Sequence, residues 1–387
     1  MPPAATEWRL VDGVVTAWFP AASLSQAGAL AGRIADLPDC AVDVRTVGVR
    51  VRLASTEHTQ VVSSAARQLG LAGDPTMLQQ VSIVVDSGAP ATVRTFWQRV
   101  LGYAEGDGGI VDPLRRDPAI RIAQSTAARP LRNRIHLDVV RPAAVVAATD
   151  AGAPSGPYGV CHRDPDGNEV DLVPGDALGD AAAVADWHAV FSAVACYRTT
   201  TTEQQRDLVA TAAALADAAG FPLLIDARPG LVVLDSGKDQ WEADTHGLDV
   251  DFADLAGRLQ AAARELGAAA DPELPRFVQL FLDAADVATI RDCWAAALGY
   301  LPDRRPGVTD LHDPRRLNPV VVFQELDLAE TERRRQRNRV HVELAVPADA
   351  APGRVAAAVA AGARLVDTSE GRWWLADPEG NELVVVA

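Results

Sequence analysis

The sequence predicts an α+β protein made by tandem duplication, and three observations carry that expectation. At 387 residues the chain exceeds one ordinary hydrophobic core and suggests two to four domains. Four sequence blocks recur in the same order. Within each copy the apolar period switches between the two-residue repeat of strands and the longer repeat of helices.

The blocks are as follows. RQLGLAGDPTMLQQVSIVVD (67–86) answers to RELGAAADPELPRFVQLFLD (264–283), and FWQRVLGY (96–103) to CWAAALGY (293–300). RNRIHLDVVRP (132–142) answers to RNRVHVELAVP (337–347), and DPDGNEVDLV (164–173) to DPEGNELVVV (377–386). Each half carries an α+β segment ahead of these blocks. Pro174 to Asp186, rich in Gly, Pro and small residues, reads as the linker between halves.

Along the first copy, Val81, Ile83 and Val85 fall on one face of a strand, with Gln80, Ser82 and Val84 on the other. A helix through Phe96, Val100 and Leu101 is expected to stop at Gly102. IRIAQ (120–124) and RIHLDVV (134–140) read as further strands, followed by a short Ala-rich helix. The Asp-Pro-Asp-Gly turn then places Gly167 at positive φ before the closing strand NEVDLV.

Composition narrows the function classes. A net charge of -16 disfavours nonspecific binding to nucleic acid or anionic membranes. No apolar run is long enough to span a bilayer, and the start lacks the basic-then-apolar pattern of a secretory signal. The four cysteines are scattered without a CxxC pair, so buried thiols and a cytoplasmic setting are expected. The expected partner is a small-molecule ligand, with homodimer formation left open. Dinucleotide-binding, P-loop, nucleophile-elbow and zinc-protease motifs are absent.

The ordered set FW-x-x-x-LGY, N-R-x-H and D-P-[DE]-G-N-E resembles the glyoxalase-like branch of the vicinal oxygen chelate superfamily. The resemblance covers about 79–174 and 276–387 and implies paired βαβββ units around a pocket. The preceding segments more faintly resemble pterin-4a-carbinolamine dehydratases, through Trp8, the helix around 29–35, the strands of 44–55 and a closing helix. That family's His-His-Pro motif is missing: Pro38, Asp39 and Cys40 stand there in one copy, Gly220, Phe221 and Pro222 in the other. Dehydratase activity is not expected, and a scaffold or dimerisation role is. The implied domains are 1–75 and 177–270, dehydratase-like, and 76–176 and 271–387, glyoxalase-like.

Carried over from the superfamily, the site of the first glyoxalase-like domain is Ser82 (or Gln80), Gln124, His136 and Asp171. On alternation, Asp138 and Glu169 share the faces of His136 and Asp171. His136 and Asp171 would handle protons while Gln124 orients an oxygen. The second copy offers Gln279, Gln324 and His341, but Val384 replaces the carboxylate. No cofactor is assigned outright. A divalent metal has room only in the first domain, with His136 and Asp171 as candidate ligands. One of Trp373 and Trp374 should face a pocket and stack on a flat ligand. His162 is expected at a surface turn, and His58, His188, His246 and His312 in solvent. The reading that follows is a small-molecule lyase, isomerase or cyclase, with secondary metabolism as its expected setting. The alternatives are a ligand-sequestering protein and a structural pseudoenzyme.

Overall fold

In a computed structural model describing residues 7–387, the chain divides into two compact units, each drawing on both sequence halves. Among the described residues, one contains 7–78, 141–145 and 174–276; the other contains 79–140, 146–173 and 277–387. The four sequence segments are thus assembled two by two, like with like.

The first unit joins the two leading segments. The first segment runs strand Arg9–Val11, strand Val14–Pro20, helix Leu24–Arg33, strands Cys40–Arg45 and Gly48–Leu53, and helix Thr59–Gln68. The second repeats the pattern with Ala193–Arg198, helix Thr202–Ala219, Leu224–Arg228, Leu231–Asp235 and helix Phe252–Glu265. Cys40–Arg45 and Leu224–Arg228 pair antiparallel and join the copies into one sheet. Alternate strand residues such as Val42, Val44 and Ile225 form a core with Leu30, Val62, Leu208 and Leu259 of the helices. The stretch read as a linker is structured. Strand Glu169–Ala177 runs into it, a single 3-10 turn spans Ala182–Val184, and Val184 is buried.

The second unit joins the two glyoxalase-like segments. Helix Pro90–Leu101 ends at Gly102 (φ 68°), and Gly167 takes φ 79° in its turn, both as expected. Two groups of strands form. In one, Ile135–Pro142 lies antiparallel to Phe277–Ala284, which lies parallel to Val321–Glu325. In the other, Val340–Ala345 lies antiparallel to Gln80–Ser87, which lies parallel to Ala119–Gln124. Each group therefore takes the later part of one copy and the earlier part of the other.

The repeated motifs hold this exchange in place. Asn133 donates to Asn168 Oδ1 at 2.6 Å, and Asn338 to Asn381 Oδ1 at 2.9 Å. The same two asparagines cross between copies: Asn338 Oδ1 accepts from the Arg134 amide and Asn133 Oδ1 from the Arg339 amide. Trp97 Nε1 donates to Asp164 at 3.0 Å, and Trp294 Nε1 to Asp377 at 2.9 Å. A buried polar group without a partner costs about 1–3 kcal/mol, so these residues specify the pairing and are not themselves reactive.

Cys40, Cys196 and Cys293 are buried and Cys161 is half-buried; none is in a disulfide. No helix among the described residues is long and apolar enough to cross a membrane.

Candidate functional site

Alternation on Ile135–Pro142 commits Ile135, Leu137 and Val139 to the core and turns His136 and Asp138 to the opposite face. Pairing with Phe277–Ala284 sets Phe281 opposite His136 and Gln279 opposite Asp138. The His136 ring stacks on Phe281 with centroids 5.1 Å apart. Gln279 Nε2 donates to Asp138 Oδ2 at 3.1 Å. Asp171, on strand Glu169–Ala177, completes a cluster: ligand atoms of His136, Asp138 and Asp171 lie within 4.8 Å of one another. His136 Nδ1 and Gln279 Oε1 are buried and make no hydrogen bond.

The surrounding charges are paired. Glu169 accepts from Arg132 at 2.5 Å and from Arg163 at 2.9 Å. Burial opposes its ionisation, but these two arginines hold its carboxyl below the usual range. Asp283 accepts from Gln324 and Arg333. Burial depresses His136 below its ordinary value, and the neighbouring Asp283 and Asp171 only partly offset that. Its imidazole is therefore neutral at pH 7, the form that accepts a proton or ligates a metal. One imidazole nitrogen with carboxylate oxygens is a donor set for a divalent cation. His136 Nε2 stands 3.8 Å from Asp138 Oδ1, so the imidazole nitrogen beside the carboxylates suits the metal that the resemblance implies.

The other strand group repeats the frame with different chemistry. His341 lies opposite Val84, and Glu343 opposite Ser82. Glu343 is gripped by Arg121 at 2.8 Å and by Arg372, and Arg121 also donates to Ser82 at 2.6 Å. In the His136 group the equivalents of Arg121 and Arg372 are Val322 and Gly159, so neither position brings a guanidinium to Asp138. Val384, fully buried, stands at the position of Asp171. Burial also depresses His341, against the pull of Asp86 and Glu343. Its ring lies 5.1 Å from Trp374, over which Arg337 and Arg372 stand. Trp373 packs on the core, so the alternation of the two indoles is as expected.

A family model described as a glyoxalase-like domain matches residues 82–173 and 279–386, together just over half of the chain. The chain belongs to the glyoxalase-like domain family. Membership puts it among the small-molecule enzymes and binding proteins of the vicinal oxygen chelate superfamily. Solved structures that match include a hypothetical protein from S. aureus with 17% identity and a TM-score of 0.23, covering 28% of this chain and 89% of that one. Two variants of glyoxalase I from Zea mays are each 10% identical. One covers 81% of this chain and 94% of its own, with a TM-score of 0.39; the other covers 80% and 94%, with 0.37. Comparison with curated protein sequences gives no match.

Within this glyoxalase-like frame, the expected set of Ser82 or Gln80 with Gln124, His136 and Asp171 is not brought together. Ser82 and Gln80 lie on a strand paired with that of His341, and Gln80 donates to the Val81 carbonyl. Gln124 is exposed opposite Ser87, its amide 3.5 Å from the Gly88 carbonyl. It also has the strand parity of the core residues Ile120 and Ile122, so it cannot orient an oxygen beside His136. Gln279 and Gln324, expected with His341, belong to the His136 group instead. The cause is the exchanged pairing, which gives each site strands from both copies. That pairing makes Phe281 and Gln279 neighbours of His136 and Asp138, whereas Asp138 shares its strand and face with His136, as alternation within the strand expects. Nothing in the local sequence marks Gln279 or Phe281 as a partner of His136, because both come from the other copy.

Four histidines also differ from expectation, while the side chain of His246 lies outside the described residues. His162 is buried, with Nδ1 3.1 Å from the Ala151 carbonyl. His58, His188 and His312 are half-buried, and burial with the nearby Arg316 pushes His312 down to about 4.

Proposed function

We propose that the chain is a small-molecule enzyme of lyase, isomerase or cyclase type, acting at the His136 site. The observation that carries this is the cluster of His136, Asp138 and Asp171, with Gln279 beside it. A divalent cation held by these residues would polarise a substrate oxygen as a Lewis acid. Without a bound ion, neutral His136 would instead accept a proton, Asp171 would steady the imidazolium that results, and Gln279 would present its amide oxygen to a substrate donor. Stacking on Phe281 fixes the plane of the His136 ring. The leading segments, without the histidine pair of a dehydratase, act as a scaffold that pairs the two copies. A role in secondary metabolism fits this reading.

Turnover of candidate small-molecule substrates, with and without Mn²⁺, tests the proposal. His136→Gln should abolish turnover, and His341→Gln should leave it largely intact. Turnover that survives His136→Gln but is lost in His341→Gln overturns the assignment. A second reading, ligand sequestration without chemistry, is favoured by the other strand group, where Trp374 and His341 stand together and Val384 replaces the carboxylate. Tight retention of a ligand with no conversion supports that reading over the first.

A further inference from the structure

The face that carries His136 is divided by polarity, and the division follows the strands. In Phe277–Ala284 the core takes Val278, Leu280, Leu282 and Ala284, so Phe277, Gln279, Phe281 and Asp283 lie on the His136 face. In Val321–Glu325 the core takes Val321 and Phe323, which leaves Val322 and Gln324 on that same face. Register sets Phe281 opposite His136 on one neighbouring strand and beside Val322 on the other. Phe277 lies opposite Val140, which is buried yet outside the core cluster. The polar members of this half are engaged with one another or with Asp138: Gln279 donates to Asp138, and Asp283 accepts from Gln324 and Arg333. On the other side of His136 and Asp138 the face is polar, with Asp171, Glu169, Cys161 and Arg163.

The equivalent face around His341 lacks this apolar half. Gln80, Val84 and Arg121 stand there at the places of Phe277, Phe281 and Val322. From the His341 group to the His136 group, two of these positions exchange a polar side chain for an apolar one, and the third exchanges a small apolar side chain for a phenyl ring. All three changes run in one direction. Core packing does not account for them, because alternation turns all three side chains away from the core cluster. Phe277 and Phe281 are moreover only half-buried, so solvent reaches apolar surface directly beside the polar cluster. Such surface gains free energy when an apolar group covers it. Phe281 is also held in place by its stacking on His136, with 20° between the ring planes, so receiving a ligand costs it little ordering.

We propose that Phe281, Val322 and Phe277 set the specificity of the His136 site by selecting substrates that carry an apolar group, of about the size of a phenyl ring, beside the reacting oxygen. The inference rests on the reading of His136, Asp138 and Asp171 as a divalent-cation site. The substrate then lies across the strands, its oxygen over Asp138 and Asp171 and its apolar group over Phe281 and Val322. A charged group in that place would lose water without gaining a partner, so it is disfavoured.

Acetohydroxamate and benzohydroxamate present the same metal-chelating head with a methyl or a phenyl group, and calorimetry on the Mn²⁺-loaded full chain compares them. Benzohydroxamate should bind at least about tenfold more tightly. Phe281→Val introduces the residue that Val84 supplies at the same place in the other strand group, so the frame already accommodates it. It should reduce the preference to below about threefold while acetohydroxamate and Mn²⁺ affinities stay within about threefold of the parent. Val322→Thr keeps the side-chain shape, adds a hydroxyl and lies one strand away from His136, so it separates loss of the apolar surface from a disturbed imidazole; it should lower the preference as well. Val84→Ala should leave the preference unchanged. Equal affinity for the two hydroxamates in the parent protein, or a preference that survives both Phe281→Val and Val322→Thr, overturns the assignment of specificity and leaves the metal reading standing. Absence of Mn²⁺ uptake overturns the metal reading and this inference with it.

Discussion

Replacing Asp171 by Asn keeps the size of the side chain and removes one negative charge from the His136 cluster. Because the ligand atoms lie within 4.8 Å of one another, an ion seated among them stands about 3 Å from each. With an effective dielectric constant of about 20, a divalent charge and a carboxylate at that distance attract by roughly 11 kcal/mol. Most of this is offset by stripping water from both partners, and removing one member of a buried charge pair costs about 3–5 kcal/mol. Asp171→Asn should therefore weaken Mn²⁺ binding by about two to four orders of magnitude. Calorimetry with electron paramagnetic resonance would measure it, with circular dichroism to establish that the variant is folded. The stoichiometry should be one ion per chain, since Val384 offers no ligand and Arg121 and Arg372 neutralise Glu343. An affinity within about threefold of the parent protein, or loss of the ion in His341→Gln instead, would refute the reasoning.

Two further outcomes follow from the same geometry. Trp97→Phe removes the 3.0 Å bond to Asp164 and ring volume from a fully buried site, so thermal unfolding should show a loss of about 2–3 kcal/mol; a change below about 0.5 kcal/mol contradicts the structural role assigned to the motif. His136 and His341 are both depressed by burial, so below about pH 6.5 the unfolded chain takes up protons that the folded chain resists. Their contribution to stability is present above that pH and lost as pH falls, and denaturant titrations should show a shallower loss in the double variant His136→Gln, His341→Gln. An unchanged slope would place the titration elsewhere.

Much of this molecule is written in local sequence. The four repeated blocks announce the duplication, alternation assigns Ile135, Leu137 and Val139 to the core and His136 and Asp138 away from it, and Gly102 and Gly167 mark a helix end and a turn. These features depend on residues a few positions apart, where period and backbone sterics act directly. Val384 against Asp171 likewise identified in advance which site keeps its carboxylate. Which strands meet was decided only in three dimensions. Ile135–Pro142 and Val340–Ala345 carry the same pattern, so either could have paired with Gln80–Ser87. The reciprocal bonds of Asn133 and Asn338 to amides of the other copy select the exchanged pairing. That choice brings Gln279 and Phe281 to His136 and leaves Gln124 exposed far along the other sheet. Partners distant in sequence pay their loop entropy only once the whole core closes, and periodicity within one strand carries no record of that closure.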